Sequence, residues 1–256
     1  MNVKLVKKEE LMQDLFKFSV ESSEITQNAK PGQFLEIRVS DNIDPFLRRP
    51  ISIYNIDKEN NIIEFVFQIR GKGTKILSEK KEGDFIDVLG PLGNGTFEVE
   101  DQENVMIIGG GIGIFPLYEL TKQLKNKSNT RVYLGFRNEN YVVLEKEFQE
   151  IANSVIVTTD DGSYGNKGFA IEYMKKDILK NKPDIIYACG PLAMLKIIQE
   201  LSIAENIPCQ ISLEERMGCG IGACLGCAVK IIDGHDTKYG HVCKDGPVFW
   251  ANQVEI

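Results

Sequence analysis

Four cysteines near the end of this chain concentrate the chemistry that its residue types can perform. Cys219, Cys224 and Cys227 crowd into one stretch, GCGIGACLGCAVKI (218–231), and Cys243 follows further on. The spacing C-x4-C-x2-C with a distant fourth cysteine is that of plant-type [2Fe–2S] sites. Two irons bridged by sulfide need four thiolates, and three can come from one tight loop. Glycines at 218, 220, 222 and 226 let the backbone approach closely and aim amide hydrogens at the sulfurs, offsetting negative charge. They also tolerate positive φ. A structural zinc and four ordinary buried thiols are the alternatives. Zinc sites usually pair two short cysteine units, and here only Cys224 and Cys227 form one. The other two cysteines read differently. Cys209 is expected to be a small core residue in a strand. Cys189 sits in a turn described next.

Two glycine turns could meet phosphate. Gly109, Gly110, Gly111 and Gly113 follow the apolar run NVMII and precede a helical pattern, which places backbone amides at a helix N-terminus. The match to G-x-G-x-x-G is incomplete, because Ile114 stands at the third glycine position. Tight strand–helix packing explains the glycines equally well. The second turn is ACGPLAML (188–195), with Cys189, Gly190 and Pro191 between a strand and a helix. In an open parallel sheet, ligands bind at the carboxyl ends of the strands. Two such loops on one edge favour dinucleotide binding, with Cys189 either facing a nicotinamide or packed in the core.

Earlier in the chain, RRPISI (48–53) sets Arg48 and Arg49 before a proline-fixed strand that carries Ser52. GKGT (71–74) places glycines before Thr74, which is expected to N-cap the helix TKILSEK. Arginine and helix N-termini both bind phosphate. Surface charge and a simple turn are the competing readings of these residues.

The elements that must hold these groups change texture along the chain. Up to about residue 101, short alternating strands such as FLEIRV (34–39) and IIEFVFQI (62–69) alternate with Pro, Gly and Asn turns. That pattern predicts a small antiparallel barrel. From about residue 102, strands NVMIIGGG, RVYLGFR, SVIVTTD and DIIYACG alternate with helices FPLYELTKQLKN, EKEFQEIA, FAIEYMKK and AMLKIIQELSIAEN. Alternation of this kind predicts a doubly wound parallel sheet. The expected organisation is therefore α/β plus β: a barrel over 1–101, an α/β domain over 102–213, and a small cysteine-bearing segment over 214–256. That last segment is too short for a core of its own.

Bulk composition narrows the partners. The 256 residues are 43 % hydrophobic with a formal net charge of −7, enough for a full core and unfavourable for nucleic acid or anionic membrane. The start, MNVKLVKKEELMQDLF, holds no signal-like apolar run, and no span reaches membrane-crossing length. A cytoplasmic location with reduced thiols is expected, which points clustered cysteines to metal rather than disulfides. The two histidines, His235 and His241, lie in the tail with no recognisable catalytic arrangement.

Taken together, R-P-x-S, then GGG-x-G, then CGP resembles the ferredoxin–NAD(P) reductase superfamily. The added cysteine tail is similar to one branch of it, the electron-transfer subunits of type 1B dihydroorotate dehydrogenases. PGQF (31–34), DVLGPLGNG (87–95), DDGSYGNKG (160–168) and VCKDGPVF (242–249) extend the resemblance over nearly the whole chain. It implies an FAD-binding barrel, an NAD-binding domain and a [2Fe–2S] segment. Arg49, Pro50, Ile51 and Ser52 would line the FAD, the arginine meeting the pyrophosphate and the serine near the reactive edge of the ring. Val66, Phe67 and Gln68 would make a second flavin contact, Gly73 and Thr74 a third. The superfamily often has tyrosine where Ile51 stands. No carboxylate occupies the usual ribose-gripping place, since RVYLGFR ends in Arg137, Asn138 and Glu139; the family resemblance favours NAD over NADP.

The resemblance also implies an FMN-containing catalytic partner that oxidises dihydroorotate, with two copies of each chain, and a route from partner FMN through the cluster and FAD to NAD⁺. With flavin, nicotinamide and cluster sites assigned, little of the chain remains for a substrate-oxidising domain. Other relays of the superfamily compete: ferredoxin–NADP reductase, sulfide dehydrogenase and hydrogenase-associated subunits. Some of these replace the first cluster cysteine with aspartate, whereas this chain keeps Cys219. A zinc-stabilised nucleotide-binding regulator, colourless when purified, is the alternative from a different class.

Overall fold

The structure is a computed structural model that describes residues 1–40, 42–233 and 236–256. His235, expected to be a tail histidine without catalytic surroundings, lies outside the described residues. The chain separates into two units: Met1–Thr96 with Glu214–Ala228 and Gly240–Pro247, and Phe97–Leu213 with Val229–Tyr239 and Val248–Ile256.

The first unit is built on six antiparallel strands, β1 (Asn2–Met12), β2 (Leu15–Glu21), β3 (Phe34–Arg38), β4 (Arg49–Asp57), β5 (Ile62–Gln68) and β6 (Phe85–Leu92). They close into a barrel in the order β1-β2-β5-β4-β3-β6. Alternation decides which side chains enter it. Leu35 and Ile37 of β3, Ile51 and Ile53 of β4, and Ile63, Phe65 and Phe67 of β5 all reach the core. Phe18 meets Phe67 edge-on at 5.0 Å between ring centroids, a geometry that adds to the gain from burial. Two short helices, α1 (Ser23–Asn28) and α2 (Lys72–Ser78), cap the barrel and add Ile25 and Leu77 to the same core. The Ser22 hydroxyl starts α1 by accepting a hydrogen bond from the Ile25 amide at 3.2 Å.

The second unit centres on a seven-stranded sheet ordered β10-β9-β8-β7-β11-β12-β15. Its strands are β7 (Asn104–Gly110), β8 (Asn129–Phe136), β9 (Ser154–Thr159), β10 (Asn166–Lys167), β11 (Ile185–Cys189), β12 (Cys209–Ser212) and, from the tail, β15 (Val248–Trp250). All pair in parallel except β15, which joins β12 antiparallel. This edge strand refines the expected all-parallel sheet. Helix α3 (Phe115–Leu124) packs on β7 and β11, α4 (Glu145–Gln149) on β9, α5 (Ala170–Ile178) on β7, β8 and β9, and α6 (Leu192–Ala204) on β11 and β12. Strands β7 and β11 are buried along almost their whole length, as parallel strands covered on both faces must be. Buried Cys209 is a core residue of β12, as expected, its thiol pushed up to about 12 by burial. The remaining tail strands, β13 (Ala228–Asp233), β14 (Asp236–His241) and β16 (Val254–Glu255), form a small sheet in the order β14-β13-β16.

A charge cluster ties the barrel's seams. Arg48 donates to the Asp87 carboxylate at 2.8 Å and to the Asp87 carbonyl at 3.1 Å. The N-terminal ammonium and Arg38 stand 3.8 and 3.9 Å from the same carboxylate. Partial burial opposes ionisation of Asp87, but Arg48, the ammonium and Arg38 outweigh it and hold its pKa below the usual value. A carboxylate depressed in the folded state stabilises it above the unfolded pKa and loses that contribution as pH falls through the folded one. Asp87→Asn is therefore expected to cost about 1 kcal/mol at neutral pH, the usual scale for a partly exposed pair. In denaturant titrations the gap from the parent should shrink below about pH 4; a gap independent of pH would contradict this.

Candidate functional site

In the barrel unit, the cysteine loop is shaped by three residues in the left-handed backbone region. Gly220 and Gly222 take φ of +71° and +81°, and Leu225 takes +59°. A Cβ at Gly222 would stand 2.6 Å from Lys244 Cδ. Folded this way, the loop turns its own amides onto sulfur. Ala223 and Cys224 donate to Cys219 Sγ at 3.2 and 3.4 Å, Gly222 to Cys243 Sγ at 3.1 Å, and Cys243 to Cys227 Sγ at 3.4 Å. The amides of Ile221, Cys224 and Ala223 together draw the Cys219 thiol down to about 6. Cys243 behaves oppositely: burial, then its contact with the Cys227 thiol, push it up to about 12.

All four tail cysteines are brought together, and they meet as two pairs. The free thiol of Cys219 lies within hydrogen-bonding reach of that of Cys224, and that of Cys243 within reach of Cys227. Among the described residues, no three His, Cys, Asp or Glu side chains surround a single ion position. Two pairs of thiols, each able to serve one iron, match the donor set of a binuclear cluster. Cys227 and Cys243 are buried, Cys219 is half-buried and Cys224 is exposed. His241, the other tail histidine, holds the turn that carries Cys243: its amide donates to Asp245 Oδ2 at 2.7 Å and its Nδ1 lies 3.3 Å from the same oxygen.

The arginine–proline strand and the GKGT turn also meet. A Cβ at Gly73 would fall 2.6 Å from Arg49 Cζ, so the absent side chain is what lets the guanidinium lie there. Arg49 itself donates to the carbonyls of Leu47 and Arg48. Pro50 and Ser52 pair with Glu36 and Phe34 across the β3–β4 ladder, on the face away from the core. Ile51 turns the other way into the core, leaving its backbone for a ligand. Val66 and Phe67 are buried on β5, and Gln68 is half-buried at its end. Thr74 departs from the expected N-cap role. The helix begins earlier, at Lys72, with Gly71 as N-cap, and Thr74 stands inside the first turn. Its hydroxyl accepts from the amides of Arg70 and Gly71 at 2.9 and 3.3 Å, closing the turn from within.

The sequence reading missed Glu36. Flanked by Leu35 and Ile37 in β3, it points outward and reads as a solvated strand residue. Instead it is 1 % exposed, with both carboxyl oxygens buried and unpartnered. A Cβ at Gly220 would stand 2.7 Å from its Cγ and 3.0 Å from Oε1. Burial pushes its carboxyl up to about 7 against the pull of Arg48, and the Cys219 thiol adds to the rise. Gly220 of the returning tail closes on this residue, a contact that no local pattern reports.

In the nucleotide-type unit, the two glycine turns meet at the ends of β7 and β11. After β7 the chain moves outward through β8, β9 and β10, then crosses to β11 and β12 on the other side. The crevice between β7 and β11 is the topological switch point, where open α/β sheets bind ligands. Gly113, in the 3₁₀ turn Gly111–Ile114, would place a Cβ 2.6 Å from the Cys189 carbonyl oxygen and from Gly190 Cα. A Cβ at Gly110 would stand 2.8 Å from Pro191 Cδ. Gly111 takes φ +55° with open space around it, and Cys189 is buried at the strand end. Beyond β8, the Glu139 amide donates to Ser163 Oγ at 2.8 Å, and Ser163 Oγ donates to Asp161 at 2.6 Å. The loop after β9 thus brings a carboxylate to the end of β8, where RVYLGFR itself ends in Arg137 and Asn138.

Residues 2–97 match the model of the oxidoreductase FAD-binding domain, and 107–200 that of the oxidoreductase NAD-binding domain. Residues 214–255 match the iron–sulfur cluster binding domain of dihydroorotate dehydrogenase B. An antiparallel barrel followed by a switch-point sheet and a thiol loop is thus the build of an NAD-linked flavin and iron–sulfur oxidoreductase. Curated relatives narrow the class. The dihydroorotate dehydrogenase B (NAD(+)) electron transfer subunit of Caldanaerobacter subterraneus subsp. tengcongensis is 46 % identical over 224 residues, 88 % of this chain and 86 % of that protein. The protein of the same name from Bacillus cereus (strain G9842) is 41 % identical over 265 residues, covering 100 % and 98 %. The chain belongs to this family of electron transfer subunits. Among solved structures, a chain from the NADH-dependent reduced ferredoxin–NADP oxidoreductase structure superposes with a TM-score of 0.88 at 36 % identity, over 99 % of this chain and 89 % of that one. Phthalate dioxygenase reductase, at 19 % identity and TM-score 0.65 over 91 % and 87 %, shares the fold.

Close packing at the switch point makes Gly113 sensitive. Gly113→Ala should destabilise the chain by about 1–3 kcal/mol, as overpacking does, because its Cβ meets backbone rather than a movable side chain. Denaturant unfolding checks this; a variant as stable as the parent would mean that the turns separate without cost.

Proposed function

We propose that this chain carries electrons from the FMN of a catalytic dihydroorotate dehydrogenase subunit through a [2Fe–2S] cluster and FAD to NAD⁺. The setting is pyrimidine biosynthesis in the cytoplasm, with two copies of each chain in the assembly. Among the described residues, no helix is long and apolar enough to cross a membrane, and the relatives are electron transfer subunits of NAD⁺-type dihydroorotate dehydrogenase B. In functional terms the chain divides into a flavin part (1–101), a nucleotide part (102–213) and a cluster part (214–256).

When bound, FAD exchanges hydride pairs on one side and single electrons on the other, which is what links a pyridine nucleotide to an iron–sulfur cluster. The chain's own residues bind and orient. Cys219 with Cys224, and Cys227 with Cys243, are assigned as cluster ligands, and the loop amides stabilise negative charge on sulfur. Arg49, seated over Gly73, is assigned to the flavin pyrophosphate. Pro50, the Ile51 backbone and Ser52 line the ring, with Val66, Phe67, Gln68 and Thr74 completing the flavin site. Gly109, Gly110, Gly111 and Gly113 present backbone amides to the NAD phosphates, and Cys189, Gly190 and Pro191 close the nicotinamide side. The observation that carries the reading is the pairing of four thiols under inward-pointing amides, in one unit with the Arg49–Gly73 contact.

A second reading, a relay of the ferredoxin–NADP oxidoreductase kind, draws on the structure that superposes over 99 % of the chain. The partner decides between them. The experiment is Cys224→Ser at the exposed ligand position. Iron-dependent absorption and dihydroorotate-driven NAD⁺ reduction with the catalytic partner should be lost. FAD content and NADH oxidation by artificial acceptors should persist. Surviving transfer from the partner would overturn the relay, and a parent chain that never couples to dihydroorotate would favour the second reading.

A further inference from the structure

Strand β3 sends Glu36 to the outer face of the barrel, directly opposite Pro50 of β4, while Leu35 and Ile37 fill the core. The cysteine loop then closes over it. Gly220, at φ +71°, lies so near that a Cβ there would stand 2.7 Å from Glu36 Cγ and 3.0 Å from Oε1. Both carboxyl oxygens are buried, and neither has a hydrogen-bond partner among the described residues. Arg48 and Arg49 act on the carboxyl through space. A buried carboxyl left without a hydrogen bond is costly and rare, and an apolar residue would cover the strand at no such cost. Its position is equally specific: Pro50 on one side neighbours Arg49, and Gly220 on the other neighbours Cys219. It therefore stands between the residues assigned to the flavin and those assigned to the cluster.

We propose that Glu36 is a positioning residue that seats the cluster loop against strand β4 and sets the environment of the cluster held by Cys219. The proposal rests on the assignment of the four cysteines as cluster ligands. Gly220 is part of the same device, since any side chain there would displace the carboxyl. When ionised, a carboxylate beside the loop disfavours adding an electron to the cluster, by plain Coulomb repulsion, and in either state the side chain wedged under the Cys219 turn fixes the ligand geometry.

The test uses the holoprotein and the variants E36Q and E36A. Iron and FAD contents serve as controls, and the readouts are the cluster's EPR line shape and midpoint potential. Read at about pH 8.5, where the parent carboxyl is ionised, E36Q should keep parental iron and FAD while its midpoint moves to more positive values, because a neutral amide of the same size replaces the carboxylate. E36A should in addition change the EPR line shape as the loop loses its support. A merely structural role would lower cluster content without moving the midpoint of what remains. E36Q decides the matter even if E36A does not fold: a parental midpoint in E36Q overturns the proposal. Failure of the cysteine assignment would look different, as a parent chain without a cluster signal or a Cys224→Ser chain that retains one.

Discussion

A loop that turns its amides and thiols toward one centre cannot also turn apolar side chains inward. The 218–227 segment has no core, and its stability depends on what it leans against. Segments 214–228 and 240–247 accordingly belong to the barrel unit. Gly220 closes on Glu36 of β3, and the turn around Cys243 lies over Gly93 and the end of β6, with a Cβ at Gly93 only 2.6 Å from the Gly246 carbonyl oxygen. The amides of Asn94 and Gly95 complete this by donating to the Lys244 and Gly246 carbonyls at 2.9 Å each. The barrel thus serves twice, as the part that matches the FAD-binding domain and as the floor of the thiol loop.

The same logic of missing side chains runs through the nucleotide-type unit. Gly113 is glycine because the turn after β7 presses on the backbone of the turn after β11, and Gly110 because the side chains of Pro191 and Met194 crowd it. The two loops are held at the switch point by contact, and the fully buried strands beneath them, β7 and β11, keep that contact rigid.

Much of this was legible in the sequence because the signals were local. Alternation in IIEFVFQI and FLEIRV gave the barrel, strand–helix alternation gave the sheet, and the cysteine spacing gave the cluster. One miss was local: Thr74 read as a cap because a hydroxyl after a glycine fits one, whereas the N-cap is Gly71, three residues sooner. The others were non-local. Strand β15 lacked a signal of its own because it exists by pairing with β12. Glu36 drew no attention, because the segment that closes on it lies about 180 positions later. Local patterns report periodicity; they do not report what returns to cover a face.

The central claim is that one chain joins the nicotinamide, flavin and cluster sites into a conducting path. It is tested most directly by adding NADH anaerobically to the purified chain without any partner, and freezing it for EPR while following the flavin absorbance. The account predicts that the flavin bleaches and the signal of a reduced [2Fe–2S] cluster appears. A bleached flavin with no cluster signal, in a chain that contains two irons, would contradict it.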